Sequence, residues 1–333
     1  MRFYCTLIFF LCISAITQAQ TVMIDGIPRD TSFTLHSAYT KALKQYPQIK
    51  KALPSLPESV QVIEHLVYSN PTESRKLHFN VYRPKGNNKY PALLMVHGGG
   101  WSSGDLSLQI PMAQQIAAKG YVTIPVEYRL SPEAIYPAAL FDLKTAIRWI
   151  RANADTYGID TCRIAISGCS AGGHLAMLTG ITNGQTAFEN PKEYPQYSSK
   201  VHAIINIDGI SDFSGDELKA SRISLSKNKI PASVKWLGST YEEDKEVWET
   251  ASPIHHVTDQ SPPVCFINSS IPRFHGGRDE IIEKLSTFNI YTEVHTLEDT
   301  PHPFWLFHPW VNTTVSYMVN FLDHTFKSKI NDF

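Results

Sequence analysis

The sequence carries no excess of either charge: 30 basic residues stand against 31 acidic ones across 333 positions, a formal charge of −1. Nucleic acid is gripped by a surplus of Lys and Arg, so this balance excludes it as a partner. Cysteine is scarce, five in all, and Cys5 and Cys12 fall within the first twenty residues. The remaining Cys162, Cys169 and Cys265 are an odd number that excludes a disulfide framework and permits at most one bridge. Each lies in or beside an apolar run, which predicts buried free thiols. No Cys or His spacing matches a zinc site, and the adjacent His255 and His256 would point apart on any regular element, so no metal and no cofactor are expected. The chain also lacks repeats, low-complexity tracts and Gly/Ser linkers, and a single catalytic domain is its simplest organisation.

No apolar run is long enough to span a bilayer comfortably. The longest, Thr6 to Ile16, follows Arg2 and precedes the small-residue site Thr17-Gln18-Ala19. That order reads as a secretory signal over residues 1–19, so the protein is expected outside the cytoplasm, in the periplasm or beyond, with no membrane span after signal removal. Residues 20–59 read as an N-terminal extension, with a helix expected around Ser37 to Lys51. Residues 60–333 read as the catalytic domain.

Within that domain, Val60 to Val67 and Leu77 to Tyr82 predict an antiparallel edge pair, with Leu77, Phe79 and Val81 inward and His78, Asn80 and Tyr82 outward. The runs Ala92 to Val96, Val122 to Val126, Ile164 to Ser167, Ala203 to Ile207 and Val264 to Ile267 are continuously apolar, as in strands buried on both faces. Helical patterns lie between them, the clearest placing Leu140, Leu143, Ile147 and Ile150 on one stripe. Alternation of this kind predicts an α/β fold: a mostly parallel central sheet with an antiparallel N-terminal edge and helices on both faces. Ser211 to Trp248 breaks the rhythm and reads as an insertion over the sheet, at about 211–250.

Gly168-Cys169-Ser170-Ala171-Gly172 sits between a predicted strand and a predicted helix, the context of a nucleophile elbow. A serine on so tight a turn needs small neighbours, and it stands at a helix N-terminus whose amides favour negative charge. His97-Gly98-Gly99-Gly100-Trp101 follows another strand. Consecutive glycines let backbone N–H groups converge on an oxyanion, so Gly99 and Gly100 pair with Ala171 as candidate donors. A phosphate-binding loop is rejected because no Lys follows the glycines. The candidate base is His302, held between Pro301 and Pro303 in a loop after a strand-like run at Ile290 to Leu297. His97, His174, His308 and His324 read as structural.

These segments, with Glu127 to Leu143, resemble α/β-hydrolase esterases over roughly Val60 to Phe326. More narrowly, Ile267 to Glu280 and Glu298 to Trp310 resemble carbohydrate esterases of polysaccharide-degrading bacteria, above all the α/β-hydrolase pectin methylesterases. The sequence departs from that pattern at the triad acid. Most relatives have an aspartate followed by proline after the seventh strand, where this chain has Ile271-Pro272, and isoleucine cannot orient an imidazole. Two substitutes are available: Asp208, at the end of the sixth strand, is the candidate, and Asp279, whose other reading is a charge at a helix N-terminus, is its rival. Asp212 and Asp299 read better as turn residues. Arg273, His275 and Arg278 fall near the expected mouth of the site, where a cation could hold the carboxylate of an acidic sugar. Trp101, Trp305 and Trp310 are either sugar-stacking or packing residues.

The resemblance implies a secreted serine carboxylesterase working through an acyl-enzyme on a polysaccharide or oligosaccharide ester, with methyl galacturonate in pectin first. The alternatives are an acetyl or feruloyl esterase on xylan or pectin, a serine peptidase, disfavoured without a propeller-like N-terminal domain, and a non-catalytic glycan binder on the same fold.

Overall fold

Leu93 and Met95 face one core while Ala92, Leu94 and Val96 face another, and all five are fully buried. This division explains the unbroken apolar runs: alternate residues of one strand point to opposite faces, and both faces are covered. The computed structural model describes residues 21–24 and 26–327, so the predicted secretory signal lies outside the described residues. Its central sheet has eight strands: β1 (Val60–Thr72), β2 (Arg75–Pro84), β3 (Tyr90–Val96), β4 (Val122–Val126), β5 (Ile159–Cys169), β6 (Ala203–Ile207), β7 (Val264–Ser269) and β8 (Thr292–Leu297). Their spatial order is β8-β7-β6-β5-β3-β4-β2-β1. The β1–β2 and β2–β4 pairs are antiparallel and the other five are parallel, the predicted architecture.

Nine helices of six or more residues accompany the sheet among the described residues: α1 (Leu35–Ala42), α2 (Ile110–Ala117), α3 (Ala138–Ala152), α4 (Ala171–Ile181), α5 (Asp216–Ser226), α6 (Ala232–Leu237), α7 (Lys245–Thr250), α8 (Arg278–Thr287) and α9 (Trp310–Lys327). One core joins Leu94, Ile124, Ile166 and Ile204 to Leu143 and Ile147 of α3 and Leu175 of α4. The other joins Leu93, Met95, Ala165 and Ile205 to Met112 and Ile116 of α2 and Met318 and Phe321 of α9. Each aliphatic side chain so buried contributes about 1.5–3 kcal/mol relative to exposure.

Three expectations need correction. Asn80 and Tyr82 are buried, not outward, because the second core reaches the β2 edge, where Tyr82 packs with Val60. Asn80 accepts a hydrogen bond from the His65 N–H at 3.0 Å. Cys162 is exposed, since it lies where β5 slips register against β3 between the buried Ile159 and Ile164, whereas Cys169 and Cys265 are buried thiols. The extension's helix is shorter than predicted: Thr34 and Ser37 cap its start reciprocally, and it ends at Ala42, before Pro47 and a short antiparallel pairing of Lys50–Lys51 with Phe307–His308. The stretch predicted as an insertion folds into α5, α6 and α7 around the fully buried Trp236 and Trp248.

Candidate active site

Parallel strands of a sheet with crossover helices end on a common edge, where ligand sites of such folds lie. Ser170 stands there, between β5 and α4, with φ 55° and ψ −121°. A serine in that region is strained by about 1–3 kcal/mol and persists only where its surroundings fix it. Here the Ser170 N–H donates to the Ile207 carbonyl at 2.7 Å, and the Ser170 carbonyl accepts from the His174 N–H at 3.0 Å. The turn closes tightly because Gly168 and Gly172 touch backbone to backbone. A Cβ on Gly172 would also strike the carbonyls of Val96 and His97.

His302 lies in the loop between β8 and α9. Its Nε2 is 2.9 Å from Ser170 Oγ and its Nδ1 is 2.9 Å from Asp208 Oδ2. A carboxylate only accepts, so the proton sits on Nδ1, and Nε2 is left to accept the Ser170 hydroxyl proton. The imidazole is clamped on its other sides: Phe274 stacks on one face with centroids 3.4 Å apart, and Trp305 meets it edge-on at 5.2 Å. Burial lowers the His302 pKa below the ordinary 6.5, against the opposing pull of Asp208.

Between the two candidate acids the geometry is one-sided. Asp208 ends β6, has φ 50°, and is buried. Its Oδ2 also accepts from the Ser269 hydroxyl at 2.6 Å, and its Oδ1 accepts from the Ser269 N–H at 2.8 Å and Asn268 Nδ2 at 3.3 Å. Asp279 is the correction: at the start of α8 its side chain is 75% exposed and pairs with Arg278 at 2.7 Å, so it does not face His302. The end of β7, where the usual aspartate is missing, supplies Ser269 and Asn268 as donors instead. Sequence reasoning passed over both, and over Phe274. The signal for Ser269 was its place at the end of the strand whose expected acid is absent.

Gly99, Gly100 and Ala171 line the two spaces that meet at Ser170, and among the described residues none of their amides donates to a protein acceptor. Gly99 has φ 132°, and a Cβ there would collide with the Ser103 carbonyl, so the loop requires glycine. His97 fixes the loop: its ring is buried, donates to the Gly98 carbonyl at 2.9 Å and stacks on Tyr128. Trp101 is no open platform. Its indole is 7% exposed, donates to His174 Nδ1 at 3.2 Å and stacks on Trp236 at 5.3 Å, although its edge still borders the pocket. His174 in turn donates from Nε2 to the Ala251 carbonyl at 2.8 Å, and burial drives its pKa down to about 4, so it is a neutral strut.

Two spaces meet at Ser170. One, of about 270 Å³, lies under α5 and α6, with Ala171, Ile210, Glu217, Ser221 and Arg273 in its wall. The other, of about 400 Å³, lies on the His302 side and is bounded by Ser32, Phe33, Gly99, Lys235 and Trp305. Arg273 reaches the first, but Nη2 donates to the buried Glu217 at 3.1 Å, so its charge is already matched. His275 turns away from both: its Nε2 donates to the Ser269 carbonyl at 2.6 Å, which braces the strand end that holds Asp208. Trp310 packs edge-on against Tyr46 at 5.6 Å. A separate grouping of possible metal ligands, Cys265, Glu293 and His295, lies on β7 and β8. The i, i+2 spacing of Glu293 and His295 puts both on one face of β8, and the sheet register brings Cys265 opposite Glu293.

Over residues 79–292 the sequence matches the family model described as BD-FAE. Esterase LipC of Mycobacterium tuberculosis is 34% identical over 196 residues, 58% of this chain and 45% of LipC, so the chain spans about half the length of the curated relatives it matches. A Thermogutta terrifontis esterase, Est2, superposes with a TM-score of 0.64 at 24% identity, covering 82% of this chain and 95% of Est2. A structure described as a bifunctional GH43-CE of Bacteroides eggerthii superposes with a TM-score of 0.66 at 24% identity, covering 80% of this chain and 38% of that one. The family match reaches across more than half the chain and takes in Ser170 and Asp208, and with the strand order and helical layers it places this protein in the BD-FAE family, on the α/β-hydrolase fold.

Proposed function

We propose that this protein is a serine carboxylic-ester hydrolase that cleaves acyl groups from the hydroxyls of a plant-wall saccharide. The observation that carries the reading is the hydrogen-bonded line Ser170–His302–Asp208, 2.9 Å at each step, beside three undirected amides. Ser170 Oγ attacks the ester carbonyl as His302 Nε2 takes its proton, and Asp208 stabilises the imidazolium that forms. The Gly99, Gly100 and Ala171 amides receive the oxyanion, each such donor being worth about 3 kcal/mol in the transition state. His302 then protonates the departing alkoxide. Water, deprotonated by the same ring, releases the acid and restores Ser170.

The partition of space supports the alcohol as the larger half. The leaving oxygen must sit within reach of His302, so the alcohol occupies the 400 Å³ side and the acyl group the 270 Å³ side. That arrangement suits an acetyl or feruloyl group on a sugar better than a polymer of uronic acid on the acyl side. The saccharide itself is supported by the resemblance of the Ile267–Glu280 and Glu298–Trp310 segments, and by solved structures described as a bifunctional GH43-CE and as a carbohydrate esterase from gut microbiota. Methyl galacturonate in pectin stands as the second reading, because Arg273 borders the acyl space. Residues 1–19 act in this account as the export signal that brings the enzyme to its polymer.

Acetate, ferulate and methanol released from acetylated, feruloylated and methylated wall polysaccharide are to be measured for wild type and Ser170→Ala. Acetate or ferulate that depends on Ser170 is the expected result. Ser170-dependent methanol alone transfers the assignment to the uronate ester, and release unaffected by Ser170→Ala overturns the enzyme reading.

A further inference from the structure

A cavity of about 930 Å³ opens beside His302 and is unused by the chemistry above. One wall is the extension, through Phe33, Lys41, Gln45 and Tyr46. The other is Phe274 with the Asp299–Pro303 loop. Ser32, Phe33 and His302 border both this cavity and the 400 Å³ space over Ser170, so the two lie side by side at the proton donor to the leaving group.

We propose that the extension forms a saccharide subsite here, one that binds the sugar residues beyond the esterified one. The inference rests on the saccharide-ester reading and adds that the alcohol is an oligosaccharide. The Phe33 ring, with Phe274 behind it stacked on His302, stands among an amide, an amine, a carboxylate and a phenol, the mixture that suits pyranose C–H groups and hydroxyl rims. Lys41 and Asp299 bring opposite charges to the same cavity, which fits uncharged sugar hydroxyls better than a run of carboxylates. The volume lies near the top of the about 300–1,000 Å³ range of small-molecule sites, more than a single sugar ring fills.

The wall is built, not draped. Lys50–Lys51 pair with Phe307–His308, the Ala52 N–H donates to the Leu306 carbonyl at 2.8 Å, and Tyr46 packs against Trp310. The extension is thereby fastened to the segment that follows His302. The extension, like His302 itself, lies outside residues 79–292, the stretch matched by the family model.

The test compares kcat/KM for p-nitrophenyl acetate with kcat/KM for acetylated xylo- and galacturono-oligosaccharides of one to four sugars. Wild type is expected to gain about tenfold or more between one sugar and four in at least one series. Gln45→Ala and Lys41→Ala are each expected to lower the ratio of tetrasaccharide to p-nitrophenyl acetate by about fivefold, mainly through KM, as loss of one hydrogen bond predicts. A flat length profile in both series, with p-nitrophenyl acetate still cleaved through Ser170, overturns the subsite and leaves the esterase. Equal losses on both substrates make the extension only a brace for the His302 loop, which also overturns it. Absence of Ser170-dependent turnover on every ester instead removes the underlying function.

Discussion

Asp208 is the residue on which the account depends most finely, because its carboxylate accepts four hydrogen bonds, one of them from His302. Asp208→Asn preserves the volume but presents an amide N–H₂ that competes for the His302 tautomer. The expected result is a kcat lower by about 10⁴-fold with the melting temperature little changed, checked by steady-state kinetics and calorimetry. The pH profile is set at the same scale. Burial lowers the His302 pKa below 6.5, and the neutral ring is the active form, so activity is complete above 6.5 and is lost as pH falls through the lowered value. A kcat/KM titration should therefore place the acid-limb midpoint below 6.5, and a midpoint near or above 7 would contradict the burial of the ring.

At the scale of elements, the junction of β5 with α4 concentrates the fold's tolerances. Gly172→Ala would drive a Cβ into the backbone carbonyls of Val96 and His97, at the carboxyl end of the central strand β3. A loss of about 3 kcal/mol or more in urea unfolding is expected, with activity falling as Ser170 is displaced. An unchanged midpoint would mean that the turn relaxes freely. The elbow, the glycine loop and the strands were legible in the sequence because each rests on local chemistry: apolar runs fix buried strands, and small residues mark the turn. The acid was legible only as a preference for Asp208 over Asp279, since both stand at element ends. What separates them is tertiary: β7 lies beside β6, so Ser269 and Asn268 reach Asp208, while Asp279 turns to Arg278 and solvent. Tyr82 was misread for a related reason, because the second helical layer that covers it comes from distant sequence.

For the whole molecule, two apolar layers hold a sheet whose carboxyl edge carries the site, and the extension with α5 and α6 borders two unequal spaces above Ser170. That division could not be read from the sequence, where Ser32 and Phe33 sit more than 130 residues from Ser170. The central claim is that Ser170 is a nucleophile activated by His302 and Asp208, and intact-protein mass spectrometry after reaction with a fluorophosphonate at neutral pH tests it most directly. The account predicts one adduct, on Ser170, absent in Ser170→Ala and formed far more slowly in His302→Ala and Asp208→Asn. An unlabelled Ser170 in the folded wild-type protein, or labelling at the same rate without His302, would contradict it.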